Sequence, residues 1–229
     1  MLYIVPTPVG NLEDITYRAV KILEKAEIIL AEDSRQTRKL MNLLKISNKP
    51  KFVDLTRNHN INYLKIQESL ELSQYKEVVL VSDSGTPGIS DPGLEVIKMA
   101  INSNTKYTTL PGATSLIPAV IDSGLIFKEF WFKGFLPLKK GRKTQWQVIK
   151  ESKVAMVIFE SVHRMEKFLQ EAKEYLEPER QIAVLREISK LNESFYRFKV
   201  EDIEQQEITF KGEFVIVIEA FNPKKELDS

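Results

Sequence analysis

The sequence predicts a two-domain α/β protein, with a mostly parallel sheet in the amino-terminal half and a mixed sheet in the carboxyl-terminal half. Three observations carry this. Short β-branched runs alternate with segments of helical periodicity through the first half, the βα grammar of a parallel sheet. Three of those runs end in loops rich in Gly, Pro, Asp, Ser and Thr, where an open α/β sheet holds its ligand. Beyond Ser123-Gly124 the alternation gives way, and the last three strands follow one another without helices between them, which marks a mixed sheet and a boundary between domains 1–123 and 124–229.

The first half reads as strand 2–5, helix 15–26, strand 27–31, helix 35–45, strand 51–55, helix 60–73, strand 77–82, helix 93–102, strand 106–110 and helix 113–123. In the first helix, Ile15, Ala19, Ile22, Leu23 and Ala26 recur at helical spacing, with Asp14 as the expected N-cap. Ser34 has the same expected role for the second. The second half opens on Phe130-Trp-Phe132, whose alternation places rings in a core. A charged helix follows near 142–151, then strand 154–159, helix 163–176 and strands 181–186, 194–199 and 213–220. The polar stretch from Asn222 to Ser229 is expected to fray.

Composition narrows the chemistry. The 229 residues contain no Cys, so disulfides, thiolate nucleophiles and Cys-ligated metals are excluded. Two imidazoles, His59 and His163, argue against a multi-histidine metal site, and no metal is expected. No apolar run approaches the roughly 20 residues of a membrane span, and no signal-peptide layout opens the chain; a cytoplasmic protein with no membrane partner is the expectation. Net charge is only +1, yet eight Lys/Arg from Lys128 to Lys153 oppose just Glu129 and Glu151. That local excess makes an anion-binding face.

The loops indicate what kind of ligand they take. Neither a Gly-x-Gly-x-x-Gly fingerprint nor a Walker A pattern is present. A phosphate cradle needs convergent backbone N–H groups, and Pro6, Pro8, Pro87, Pro92 and Pro111 have none. Rigid loops that are poor in donors but keep their carbonyls suit a ligand with an adenine edge, hydroxyls and a cationic centre. S-adenosylmethionine is such a ligand. Asp83 is placed for its amino or ribose groups, Thr86, Thr114 and Ser115 for its carboxylate or amine, and Gly10, Gly85 and Gly112 for close backbone approach. Any one such loop is most simply a turn. Three in register are not.

These loops belong to a longer series. Pro6-Thr-Pro-Val-Gly-Asn-Leu12, Ala31-Glu-Asp-Ser-Arg-Gln-Thr37, Ser82-Asp-Ser-Gly-Thr-Pro-Gly-Ile-Ser-Asp-Pro-Gly93, Leu110-Pro-Gly112, Gly134-Phe-Leu-Pro137, Phe159-Glu-Ser-Val-His-Arg164, Arg186-Glu-Ile-Ser-Lys190 and Lys211-Gly-Glu213 resemble, in order, the signatures of the ribosomal RNA small subunit methyltransferase I family. That family is a branch of the tetrapyrrole methylases. The resemblance implies two α/β domains, a homodimer, and S-adenosylmethionine in a cleft between domains. It also implies methylation of a cytidine ribose 2′-hydroxyl in the decoding centre, on 16S rRNA or the small ribosomal subunit. By position, Pro8, Val9 and Gly10, Asp83, Gly85 and Thr86, and Ala113, Thr114 and Ser115 match the cofactor loops. Longer members carry a further carboxyl-terminal domain, which this chain is expected to lack.

Ribose methylation requires alignment of oxygen, carbon and sulfur and removal of a poorly acidic proton. Asp33, Arg35, Glu160, His163, Arg164 and Lys190 are the catalytic candidates, on the strength of that resemblance. The polar clusters they belong to have plainer readings: acidic residues at a helix start for Asp33, a surface imidazole for His163, an internal ion pair for Arg186-Glu187, and a hairpin turn for Lys211 to Glu213. Lys139, Lys140, Arg142 and Lys143 are expected to contact RNA phosphate, and His59 is a further RNA candidate. Two alternatives stand beside this reading, a tetrapyrrole-like small-molecule methylase and a noncatalytic RNA-binding module.

Overall fold

The computed structural model describes residues 1–57, 60–126 and 128–222. His59 and the polar tail from 223 onward lie outside the described residues. The chain divides into two units, Met1–Thr114 and Ser115–Ser229, so the break precedes the helix that the sequence reading assigns to the first domain.

In the first unit, strands β1 (Leu2–Ile4), β2 (Ile28–Ala31), β3 (Lys51–Asp54), β6 (Val78–Val81) and β7 (Tyr107–Thr109) form one sheet. Its order is β3-β2-β6-β1-β7 and every neighbouring pair is parallel. Helices α1 (Tyr17–Lys25), α2 (Ser34–Leu43), α3 (Tyr63–Leu72) and α4 (Gly93–Asn102) supply the crossovers. The inner strands β2 and β6 are buried on both faces and are continuously apolar, whereas the edge strands β3 and β7 keep polar residues. The period of two then sorts each strand between two cores. Ile28, Leu30, Val78 and Leu80 pack with Ile66, Leu70, Val96 and Ala100 of α3 and α4. Ile29, Ala31, Val79 and Val81 pack with Ala19 and Leu23 of α1 and Met41 of α2.

Two caps differ from expectation. Asp14 lies within a 3-10 turn, Leu12–Asp14, and the α1 cap is Thr16, whose hydroxyl accepts from the Ala19 N–H at 3.1 Å. The 3-10 turn consumes the residues that would have formed the first helical turn. For α2 the cap is Asp33, not Ser34, because its carboxylate reaches the Arg35 N–H. Helix α3 starts at Tyr63 rather than 60, since strands β4 (Thr56–Arg57) and β5 (Asn60–Ile61) pair as a small antiparallel ribbon.

The second unit contains α5 (Leu116–Ser123), β8 (Phe130–Phe135), α6 (Arg142–Glu151), β9 (Ala155–Ser161), α7 (Met165–Tyr175), β10 (Gln181–Arg186), β11 (Ser194–Lys199) and β12 (Glu213–Ile218). The sheet order is β11-β10-β12-β9-β8. Only β8 and β9 are parallel, so the sheet is mixed as expected. The aromatic run is an edge strand. The segment Lys211 to Glu213 is not a hairpin between β11 and β12, because β10 lies between those strands.

One face of this sheet packs Met156, Ile158, Ile182, Val184, Ile216 and Ile218 against Trp146 and Ile149 of α6 and Phe168, Leu169 and Ala172 of α7. Fully buried Trp146 is not an RNA-stacking ring. The other face sets Val157, Ala183, Leu185, Val215 and Val217 against Ala119 of α5. Among the described residues no helix is long and apolar enough to cross a membrane.

The cap at Thr16 is open to a direct check. Thr16→Ala is expected to lower stability by about 1 kcal/mol in urea unfolding, and Thr16→Ser to retain most of it. An unchanged midpoint in Thr16→Ala would show that the hydroxyl does not cap α1.

Candidate functional site

All five strands of the first sheet run the same way, so their carboxyl ends share one edge. Three of the loops leaving that edge are tied together. Val5 N–H donates to Leu80 O and Leu110 N–H to Ile4 O, both at 2.9 Å, which carries the ladder one residue past the strands. Thr7 and Gly85 then exchange backbone bonds of 2.9 and 3.0 Å. The buried Thr7 hydroxyl donates to Ser82 O at 3.0 Å, and the Thr86 hydroxyl to Ala113 O at 3.0 Å. Loops 6–12, 82–93 and 110–114 therefore make one floor.

Glycine is required at two points of that floor. Gly85 has φ +78°, and a Cβ there would lie 3.7 Å from both Val9 Cγ2 and Ala113 O. A Cβ at Gly112 would fall 2.7 Å from Pro6 Cβ, closer than packed atoms come. Val9, Gly85, Ala113 and Thr114 are thus brought together. Pro8 and Gly10 lie in the same first loop, Pro8 half-buried and Gly10 exposed. Ser115 belongs to the second unit. Asp91 folds the remainder of the 82–93 loop by accepting from Gly88 N–H at 2.9 Å and Gly93 N–H at 2.7 Å. Thr7, Ser82 and Asp91 escaped the sequence reading of the site. A threonine between two prolines was the available signal, since its N–H is the one donor that stretch can offer.

Beside the floor the ends of β2 and β6 are clasped by reciprocal bonds. Asp33 N–H donates to Asp83 Oδ1 at 3.1 Å, and Asp83 N–H to Glu32 Oε2 at 3.2 Å. Ser34 N–H, at the start of α2, donates to Asp54 Oδ1 at 2.8 Å. Four carboxylates thus crowd one rim, opposed by Arg35. Burial raises the pKa of Glu32, and repulsion from Asp83, Asp91 and Asp33 adds to it, against one backbone bond that lowers it. Asp83 is likewise raised, by desolvation first and then by Asp33 and Asp54, with the bond from the Asp33 N–H and the charge of Arg35 opposing. Asp33 goes the other way, to about 2, because Arg35 bonds it by side chain and backbone.

In the second unit the motifs again share one edge: the ends of β8, β9 and β10 and the start of β12. Glu160, at the end of β9, is fully buried. Its Oε1 takes the Arg164 guanidinium at 2.6 Å and the Ser161 N–H at 2.8 Å. Arg142 is also buried, its Nε bonded to Glu171 at 2.7 and 3.0 Å and its Nη1 to Pro137 O at 3.1 Å. Trp146 donates to the same Glu171 at 3.0 Å. Arg142 is therefore not a surface phosphate contact: its guanidinium is spent inside the unit, and Lys139, Lys140 and Lys143 are the exposed members of that run. His163 is exposed on a 3-10 turn, Val162–Arg164.

Lys190 bridges Glu187 at 2.9 Å and Glu213 at 3.0 Å. Burial alone would pull its ammonium down, but the bonds to the two carboxylates outweigh it and the net shift is upward. It is a fixed cation and not a proton acceptor. The loop holding it is strained, with Glu187 and Ser189 at φ +55° and +66°. Arg186 reaches the carbonyls of Lys211 and Asn192 instead of pairing with Glu187.

A parallel α/β unit with a knitted loop floor, followed by a mixed-sheet unit, is the architecture of a class of methyltransferases. Cobalt precorrin-4 methyltransferase has this fold, with a TM-score of 0.69 and 18% identity over 95% of this chain and 94% of that one. So does uroporphyrin-III C-methyl transferase from Thermus thermophilus, complexed with S-adenyl homocysteine, with a TM-score of 0.64 and 16% identity over 95% and 96%.

The chain belongs to the tetrapyrrole (corrin/porphyrin) methylase family, whose sequence pattern matches residues 1–204. Within that family it is similar to ribosomal RNA small subunit methyltransferase I from several bacteria. It is 38% identical to the one of Halalkalibacterium halodurans, over 98% of this chain and 78% of the relative. The Bacillus subtilis protein is also 38% identical, over 100% and 77%. The Hydrogenobaculum sp. protein is 36% identical over 96% of both chains.

Two outcomes follow from the charges. Arg142→Ala, which takes from Glu171 its buried guanidinium partner and leaves it only the Trp146 N–H and Lys167, is expected to cost about 3 kcal/mol in denaturant unfolding. Lys139→Ala, Lys140→Ala and Lys143→Ala are expected to stay within about 0.5 kcal/mol. For Asp83 the raised pKa means the fold favours its protonated form, so ionisation costs stability once pH rises through the folded value. Asp83→Asn is expected to raise the melting temperature modestly at pH 7, with a gain that vanishes below about pH 4. No gain at pH 7 would show that the rim is not electrostatically tense.

Proposed function

We propose that the chain is an S-adenosylmethionine-dependent methyltransferase of small-subunit ribosomal RNA, acting on the ribose 2′-hydroxyl of a cytidine in the decoding centre of 16S rRNA. The observation that carries this reading is the floor of three loops with a carboxylate rim. It is poor in N–H donors, closely packed at Gly85 and Gly112, and rimmed by carboxylates whose partial burial raises their pKa and favours a cationic ligand. Pro8, Val9, Gly10, Asp83, Gly85, Thr86, Ala113, Thr114 and Ser115 would hold the cofactor, which supplies an electrophilic methyl group on a sulfonium. The names of the relatives supply the substrate class.

The ribose hydroxyl must lose its proton, and the geometry sorts the candidates. Asp33, at about pKa 2, is too weak a base; its role is to aim Arg35, whose exposed guanidinium can offset negative charge on the RNA. Lys190 keeps its proton. Glu160 is enclosed by Arg164 and orients it. His163, exposed on the turn beside Arg164, remains the candidate base, and Arg164 the cation next to it. Lys139, Lys140 and Lys143 contact phosphate. A homodimer in the cytoplasm completes the proposal, and light scattering of the purified chain reads its mass.

The decisive experiment transfers radiolabelled methyl groups from S-adenosylmethionine to small subunits from a strain lacking this enzyme, and maps the label. Label on a decoding-centre cytidine ribose is expected. No label, with cofactor binding intact by calorimetry, would move the substrate to a small acidic molecule. In the same assay Asp83→Ala should weaken cofactor binding roughly tenfold, about 1.4 kcal/mol. The triple variant of Lys139, Lys140 and Lys143 to Ala should flatten the salt dependence of RNA binding by about three in slope. An unchanged slope would remove these lysines from the interface.

A further inference from the structure

We infer that Phe135 and Arg164 form a stacking platform for one unpaired nucleobase of the RNA, and that buried Glu160 is the residue that positions it. The inference rests on the RNA reading above and adds a site to it. Phe135, the last residue of β8, leaves 48% of its surface exposed although it belongs to an aromatic row. Phe159 supports it edge-on with ring centroids 5.9 Å apart, and Phe132 supports Phe159 at 4.9 Å. The ring is held against Phe159, and nearly half of its surface remains open.

The Arg164 guanidinium lies 5.6 Å from the centre of that ring. Few arginines are so fully fixed. Nη2 meets Glu160 Oε1 at 2.6 Å, Nε meets Ser161 Oγ at 3.2 Å, and Nη1 meets Leu136 O at 3.2 Å. The side chain remains 20% exposed, so one part of this fixed cation faces solvent.

Glu160 serves this arrangement at a cost. It is fully buried, and among the described residues its Oε2 accepts no hydrogen bond, with Arg142 Nη2 3.7 Å away. Packing alone would favour an apolar side chain there, since a buried ion pair rarely outperforms one. A carboxylate at this position is explained by what it holds.

An exposed aromatic face beside an immobile guanidinium is the chemistry that stacks a base and neutralises its neighbouring phosphate. Exposed Lys139 and Lys140 follow four and five residues after Phe135, and exposed Leu138 lies between. This mixture of cations and apolar surface is complementary to single-stranded RNA.

The test uses the full chain and a fluorescein-labelled single-stranded RNA 12-mer, alongside the same 12-mer with abasic sites. Phe135→Ala is expected to weaken binding of the intact RNA roughly tenfold, the effect of one lost stacked base. It should leave binding of the abasic RNA unchanged, and Phe135→Tyr should restore wild-type affinity. Glu160→Gln should reproduce the loss, and Phe135→Ala should add little on top of it. If Phe135→Ala binds both RNAs like the wild type, or weakens both equally, the platform is wrong. It is equally wrong if Phe135 proves necessary only for binding uroporphyrin, used as an acidic tetrapyrrole probe. Methyl transfer to small subunits by the wild-type chain is read separately, so a failed platform and a failed substrate assignment give different results.

Discussion

The pair of backbone bonds between Thr7 and Gly85 is the constraint on which the first unit's site depends. Past the end of β1 the chain reads Pro6-Thr-Pro8, and two of these three residues have no N–H to give. The remaining donor is spent on Gly85, and Gly85 answers with its own. That exchange requires the +78° backbone of Gly85, which a side chain would strain. Once the two loops are joined, Thr86 reaches the third, and the neighbouring Asp83 is presented at the rim. Proline here lowers the entropy cost of holding a ligand-ready shape while removing the donors that would recruit a phosphate.

The two units handle charge in opposite ways. In the second, Arg142, Glu171, Glu160 and Arg164 satisfy most of one another's bonding, and the network fixes where a single guanidinium meets solvent. In the first, Glu32, Asp83 and Asp54 outnumber Arg35, and the raised pKa values of Glu32 and Asp83 record an imbalance the fold does not correct. Binding sites often retain such imbalance, because the ligand supplies the missing charge. A sulfonium or an ammonium group would do so here.

Much of this was legible in the sequence, because period and punctuation are local signals. The βα alternation, the mixed second sheet and the ligand loops all rest on residues within a few positions of one another. What sequence missed depends on contacts between distant segments. Arg142 stands in a basic run and reads as surface until Glu171, on another helix, is found beside it. Asp14 and Ser34 are sound caps by composition, yet a 3-10 turn displaced one and a shift of one residue the other. The strand Phe130–Phe135 hid behind its aromatic character, since a sheet edge partly open to solvent lacks the apolar run that marks a buried strand. Gly112 looks like any loop glycine until Pro6 is seen against it.

Shared architecture says little about substrate in this family. The solved neighbours are named for acting on corrin or porphyrin rings, and the closer relatives for acting on ribosomal RNA, yet all have this fold. If the loop floor holds the cofactor, as proposed above, it cannot be the source of that difference, because a donor-poor cradle with a carboxylate rim serves any acceptor. Discrimination has to come from surfaces that meet the acceptor itself. A small anionic ring needs an enclosing pocket, whereas a polymer needs separated contacts for phosphate and base that tolerate the rest of the chain lying in water. In the reading proposed above, the exposed Lys139, Lys140 and Lys143, the half-open Phe135 and the immobilised Arg164 would be contacts of the second kind. Contacts of that kind outside the loop floor would let one fold exchange a ring for a strand of RNA without altering how it holds the methyl donor.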